Sequence, residues 1–162
     1  MERSPRRARA IVARPGPACE MLCLGEGAAI LMLPIALTTT GAAALVNFWL
    51  AWRIAQIREA EKISVGDGGN LRLIARMRAQ LNFAEYAPVV LILIALIEAA
   101  KGTQLWLGIV AAVFILGRVL HGLGMDGWRF GRAAGMVCTA PVMIGLGLYA
   151  AAIPLVAYRW GS

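Results

Sequence analysis

Arg78, Asn82 and Glu85 stand at i, i+4 and i+7 in the stretch R-M-R-A-Q-L-N-F-A-E-Y-A-P (residues 76–88), and Val89 continues the row. On a helix beginning near Leu71 they fall on one face, with Tyr86 at its edge and Gln80 pointing elsewhere. A guanidinium, an amide and a carboxylate in one stripe suit a ligand with carboxylates for the arginine and an ammonium for Glu85. The stripe runs directly into the apolar segment Val89–Ile97. Charged groups cost roughly 2.5–3.5 kcal/mol each in the middle of a bilayer helix, and less near its ends. The polar face must therefore look into protein or water. The plainer alternative is an interfacial Arg78–Glu85 pair that only sets the depth of the helix.

A second polar group follows the third apolar run. Arg118 and His121 are three apart and share a face that Gly122 and Met125 continue, and Gly124–Arg132 then brings Arg129 and Arg132 on a loop or broken helix. An even-numbered bundle sets the start of the second span level with the end of the third. Arg78, Asn82, Glu85 and Tyr86 then share a depth with Arg118, His121, Arg129 and Arg132. Four arginines against one carboxylate leave a surplus of positive charge, which an anionic ligand neutralises. The bland readings are a headgroup arginine at Arg132 and a neutral, hydrogen-bonding His121 that makes no metal site alone.

The elements that hold these residues are membrane helices. The chain has 162 residues, 60% hydrophobic, with a mean hydropathy of +0.70, which predicts one all-α, integral membrane domain. Four spans are expected: about 33–52, from the polar stripe to about 100, 104–123 and 133–158. The first continues as an exposed helix past Arg53 and Arg58 until Ser64–Asn70 breaks it with Gly and Asx turn chemistry. Lys101-Gly102-Thr103 is so short a connection that the second and third spans must be antiparallel neighbours. Asn47 is expected to make an interhelical hydrogen bond, Pro88 to kink the second helix, and Gly135, Gly145 and Gly147 to permit close helix approach in the fourth. Arg159 and Trp160 suit an interfacial anchor.

Net charge is +7, but the basic residues cluster at the ends of apolar runs, which points to membrane orientation and away from nucleic acid. The two longer loops and adjoining helix ends carry nine Lys and Arg, the other side only Lys101 and Arg159. The positive-inside rule then puts the polar stripes in the cytoplasm, as in a multi-pass protein of a bacterial inner membrane. Residues 1–28 form a basic, Pro-containing leader, expected to be disordered, ahead of a four-helix domain over residues 29–160. Its five arginines blur the charge asymmetry, which favours a natural start at Met32; a signal-anchor reading also stands. Cys19, Cys23 and Cys138 make no metal set.

The string Arg78–Pro88 resembles the second-helix signature of the MAPEG family, membrane-associated proteins of eicosanoid and glutathione metabolism, and Gly117–His121 is similar to that family's third-helix segment. The resemblance extends over roughly Met32–Tyr158. It implies a homotrimer with glutathione bound between subunits, by Arg58 (or, as the first-helix basic residue, Arg53), Arg78, Gln80, Asn82, Glu85, Tyr86, Arg118, His121 and Arg129. Gln80, off the stripe, would then act from a neighbouring subunit or on a ligand wrapped around the helix. Arg132 resembles the arginine aimed at the glutathione sulfur, implying a glutathione-dependent transferase or peroxidase. Its second substrate would be a small hydrophobic electrophile or lipid hydroperoxide arriving from the bilayer lipids. His121 and Met125 replace tyrosines of the leukotriene-forming synthase, so eicosanoid chemistry is not implied. The alternative is a non-catalytic lipid-binding or scaffolding protein of the same fold.

Overall fold

The computed structural model describes residues 32–160. The leader, Cys19 and Cys23 lie outside them, as do the side chains of Arg159 and Trp160. Four helices follow in order, α1 (Pro34–Ala60), α2 (Leu71–Lys101), α3 (Leu105–Gly124) and α4 (Arg129–Trp160). All four are long and apolar enough to cross a membrane. The 20 residues of α3 rise about 30 Å, the thickness of the hydrocarbon core. The 31 residues of α2 rise about 46 Å. It exceeds the hydrocarbon by roughly three turns, the length of residues 71–81, and the polar stripe begins within that length at Arg78 and continues past it to Glu85.

Period-3.6 burial packs the helices. On α2 the buried row is Leu73, Arg76, Ala79, Phe83, Ala87, Val90, Ile94 and Ile97, and from Ala79 on it meets Val46 and Leu50 of α1, Phe114 of α3 and Leu146 of α4 in one apolar core. A smaller cluster of Ile54, Ile57 and Leu73 closes the bundle at the overhanging end. The outer faces stay apolar and exposed, as at Leu45, Ile92, Leu116 and Leu148, which suits lipid or another membrane-embedded chain.

The turns follow the expected chemistry. Asn70 caps α2, its Oδ1 accepting from the amides of Arg72 at 3.0 Å and Leu73 at 3.1 Å. Gly66, Gly68 and Gly69 take positive φ in the preceding loop, and Gly102 does so at the tight α2–α3 turn. One device was not anticipated. α1 has no cap from its own sequence, and Glu98 of α2, 1% exposed, supplies one across the bundle. Its carboxylate accepts from the amides of Ile35 (3.1 Å) and Ala36 (2.8 Å) and from the Thr103 hydroxyl (2.9 Å).

Three local expectations change. α4 begins at Arg129, four residues ahead of the expected span, so Arg129 and Arg132 are helical. Gly127 reverses the chain at φ 119°, and bare glycines let α3 and α4 touch at once. A Cβ on Gly124 would stand 2.6 Å from the Gly131 carbonyl carbon, and one on Gly135 would stand 2.6 Å from the Gly117 oxygen. Gly145 and Gly147, by contrast, have open space around them. Asn47 is exposed on the protomer, and no interhelical hydrogen bond reaches it among the described residues.

Candidate functional site

Because α2 does start at Leu71, its stripe faces the α3–α4 corner. Arg78, Leu81, Asn82 and Glu85 of α2, His121 at the end of α3, Met125 in the turn, and Arg132 and Met136 of α4 line one crevice of about 310 Å³. Two guanidiniums and a carboxylate thus share it, and among the described residues none of the three forms an ion pair. His121 is only 6% exposed, yet its Nδ1 is buried without a hydrogen-bond partner. A buried imidazole nitrogen left unpaired costs about 1–3 kcal/mol unless a water or a ligand satisfies it. Leu81, Met125 and Met136 add apolar lining to the same space, the two methionines adaptable in shape. The crevice therefore offers charged, hydrogen-bonding and apolar groups together.

Arg118 stands behind this crevice and does not line it. Only 2% exposed, it donates to Asn82 Oδ1 at 2.7 Å, to the Gly135 carbonyl at 3.3 Å and to the Thr139 hydroxyl. The rings of Tyr86 and Phe114 lie 5.7 and 5.9 Å from its Cζ. Its neighbours are neutral dipoles and π faces, and they fix which way the Asn82 amide points. Tyr86 likewise contacts Arg118 and is not part of the crevice lining.

Three further residues fall elsewhere. Gln80 and Arg58 line a groove of about 740 Å³ between α1 and α2, along with Met77, Asp67 and Asn47. Arg78 touches both spaces, but Gln80, two residues on, lies about 200° around the helix. The two spaces adjoin along Arg78 and Leu81, while Gln80 and Arg58 line only the groove. Arg58 spends its donors locally, on the Ser64 carbonyl at 3.5 Å and the Met77 sulfur at 3.7 Å. Arg129 is exposed at the first residue of α4 and is not among the crevice residues.

The sequence reading missed an ionic cluster at the same end. Asp126, in the α3–α4 turn, accepts from Arg53 of α1 and from Arg76 of α2, whose Nε and Nη2 lie 3.0 and 3.3 Å away. Arg53 also donates to the Gly122 carbonyl at 2.9 Å, and Arg76 to the Arg53 carbonyl at 2.7 Å. The Arg53 guanidinium covers the Trp49 ring at 4.6 Å. Partial burial pushes the Asp126 carboxyl up, but its hydrogen bond to Arg76 and the charge of Arg53 outweigh this and hold it below its ordinary value. Periodicity did contain a signal: Arg53 continues the buried row Val46–Leu50, and Arg76 the row Leu73–Ala79.

The family model for the MAPEG family matches residues 36–152. This range contains all four helices' packed segments, the crevice and the Asp126 cluster. No curated protein matches the chain. Four membrane-capable helices in one bundle and a family match over most of the chain lead to one conclusion: the protein is an integral membrane member of the MAPEG family, which includes glutathione transferases and peroxidases and proteins of eicosanoid synthesis.

Proposed function

We propose that the chain is a membrane-bound, glutathione-dependent transferase or peroxidase acting on small hydrophobic electrophiles or lipid hydroperoxides. The observation that carries this reading is the crevice in which Arg78, Glu85 and Arg132 meet, among the described residues without ion-pair partners, beside a His121 Nδ1 that none of those residues satisfies. Glutathione has two carboxylates, an ammonium, amides and a thiol. Arg78 binds a carboxylate, Glu85 the ammonium, and Asn82, oriented by Arg118, an amide.

Arg132 acts on the sulfur. A thiol of ordinary pKa, about 8.5, is only a few per cent ionised at pH 7, and a cation beside it favours the thiolate. A two-unit drop, about 2.7 kcal/mol, makes it mostly nucleophile. The thiolate attacks an electrophilic carbon, a C–S bond forms, and the leaving group departs with its electron pair. With a hydroperoxide it attacks the terminal oxygen, releasing the alcohol and a sulfenic acid, which a second glutathione converts to disulfide and water.

Arg58 and Gln80 enter the site from a second copy. They lie across α2 from the crevice, so a ring of copies in which each groove faces the next crevice brings them to one ligand. A homotrimer is such a ring. The excess of Lys and Arg at this end supports a site on the cytoplasmic side.

The test is binding followed by turnover. Glutathione at 100 times its dissociation constant should stabilise the purified protein by about 2.7 kcal/mol, and Arg132→Ala should retain most of this while losing conjugation of a generic electrophile. No stabilisation by glutathione removes the proposal, and equal rates in both proteins remove the role of Arg132.

A further inference from the structure

From the cluster beneath the crevice we infer that Asp126, held by Arg53 and Arg76, is a positioning residue that sets the place of Arg132 in the glutathione site. The inference rests on the proposed activity and adds a part to it. Asp126 is the one described carboxylate in an ion pair, and it ties three elements: α1 through Arg53, α2 through Arg76, and the α3–α4 turn that carries it. Both arginines are buried, 6% and 9% exposed, so neither is a loosely solvated surface charge. Trp49 backs one of them, and the backbone carbonyls of Gly122 and Arg53 each accept a further hydrogen bond, from Arg53 and Arg76 respectively.

The tie reaches Arg132 through backbone. Gly124, two residues before Asp126, packs against Gly131 and Arg132 so closely that no side chain fits between them. Met125, next to Asp126, lines the crevice itself. Fixing the turn at Asp126 therefore fixes the first turn of α4, and with it the guanidinium of Arg132. The charged and titratable groups facing the crevice are Arg78, Glu85, His121 and Arg132; Asp126 is not among them and touches no ligand there. Its influence is confined to the placement of the cation beside the sulfur. Glutathione's other anchors, Arg78, Asn82 and Glu85, sit on α2, which Arg76 also ties to the turn but which its own packing in the bundle core holds as well.

The experiment uses the full-length protein in detergent. Asp126→Asn keeps shape and removes the charge, and Arg76→Gln removes two hydrogen bonds to Asp126 and one to the Arg53 carbonyl while keeping the Arg53 side chain. For each, glutathione affinity and the ultraviolet thiolate absorbance of bound glutathione are measured across pH, beside Asp126→Glu. In both weakened variants the thiolate midpoint should rise by about one pH unit, a tenfold loss of thiolate on the acid side, with glutathione affinity changed less than threefold. Asp126→Glu should restore most of the shift. A merely structural role would lower thermal stability and leave the midpoint where it was, and that result overturns the inference even if Asp126→Asn does not fold and only Arg76→Gln can be read. Wild-type protein that binds glutathione without forming thiolate overturns it too. Wild-type protein that binds no glutathione removes the proposed function, and this inference with it.

Discussion

Arg118 donates to the side-chain oxygen of Asn82 at 2.7 Å from a position 2% exposed, which makes a buried cation the support of a crevice amide. The residue was expected to touch ligand. In the structure it holds the Asn82 amide that lines the crevice and also donates to Gly135 and Thr139, while its buried Nε finds no partner among the described residues. Arg118→Met removes the donor to three acceptors at once. A loss of about 1–3 kcal/mol in stability should follow from the unpaired oxygens, with glutathione affinity about tenfold lower, 1.4 kcal/mol. Calorimetric titration reads the second effect, and unchanged affinity would show that Asn82 does not need this support.

Close approach of α3 and α4 rests on bare glycines at 124 and 135. Gly135→Ala should destabilise by about 1–3 kcal/mol through overpacking against His121 and Gly117. Gly145→Ala, with nothing within 4 Å of the added carbon, should be neutral or stabilising by up to about 1 kcal/mol through helix propensity. Thermal unfolding of the two proteins in the same detergent compares them directly; similar melting points would contradict the packing described.

Asp126 carries a pH signature. Its carboxyl is held below the ordinary 3.8, since Arg76 and Arg53 outweigh the opposing effect of burial. A depressed folded pKa contributes stability above the unfolded value, and this contribution is lost as pH falls from about 4 through the lower folded value. The acid limb of a stability–pH curve should therefore be shallower in Asp126→Asn than in the wild type. Superimposable acid limbs would show that the cluster is too solvated to matter. The effect is expected to be modest, because the carboxylate is 28% exposed.

Glu98 caps a helix other than its own. Glu98→Ala leaves the amides of Ile35 and Ala36 without their acceptors, and the loss should be about 1–3 kcal/mol. Glu98→Gln should fall between, keeping one acceptor and giving up the charge that favours a helix N-terminus. Glutathione affinity should not change in either, since the crevice lies at the opposite ends of these helices. Hydrogen exchange at the first turn of α1 measures the cap; protection equal to wild type in Glu98→Ala would refute it.

Arg132 predicts a shift in the opposite sense to a general loss of folding. Arg132→Ala should move the alkaline rise of the conjugation rate to higher pH, toward the free thiol value of about 8.5, while the thermal stability of the unliganded protein stays within about 0.5 kcal/mol. Arg132→Lys should recover part of the shift. A lower rate with an unmoved pH profile would point to a substrate-positioning role for this side chain.

The sequence by itself determined the four spans, their order, the turns and the stripe of Arg78, Asn82 and Glu85. These depend on local chemistry: runs long enough to cross a bilayer, Gly and Asx breakers, and a 3.6-residue period that puts three polar groups on one face. The arginines could be counted but not sorted. Arg53, Arg76, Arg78, Arg118 and Arg132 are the same residue type near the same ends of their helices, and the positive-inside rule treats them alike. Only the packing decided that Arg53 and Arg76 hold Asp126, that Arg118 backs Asn82, and that Arg78 and Arg132 remain open in the crevice. An arginine's role is set by which acceptor lies within about 3 Å of it, and those acceptors, Asp126, Asn82 and Thr139, come from other helices or the turn between them, up to 73 residues away in sequence.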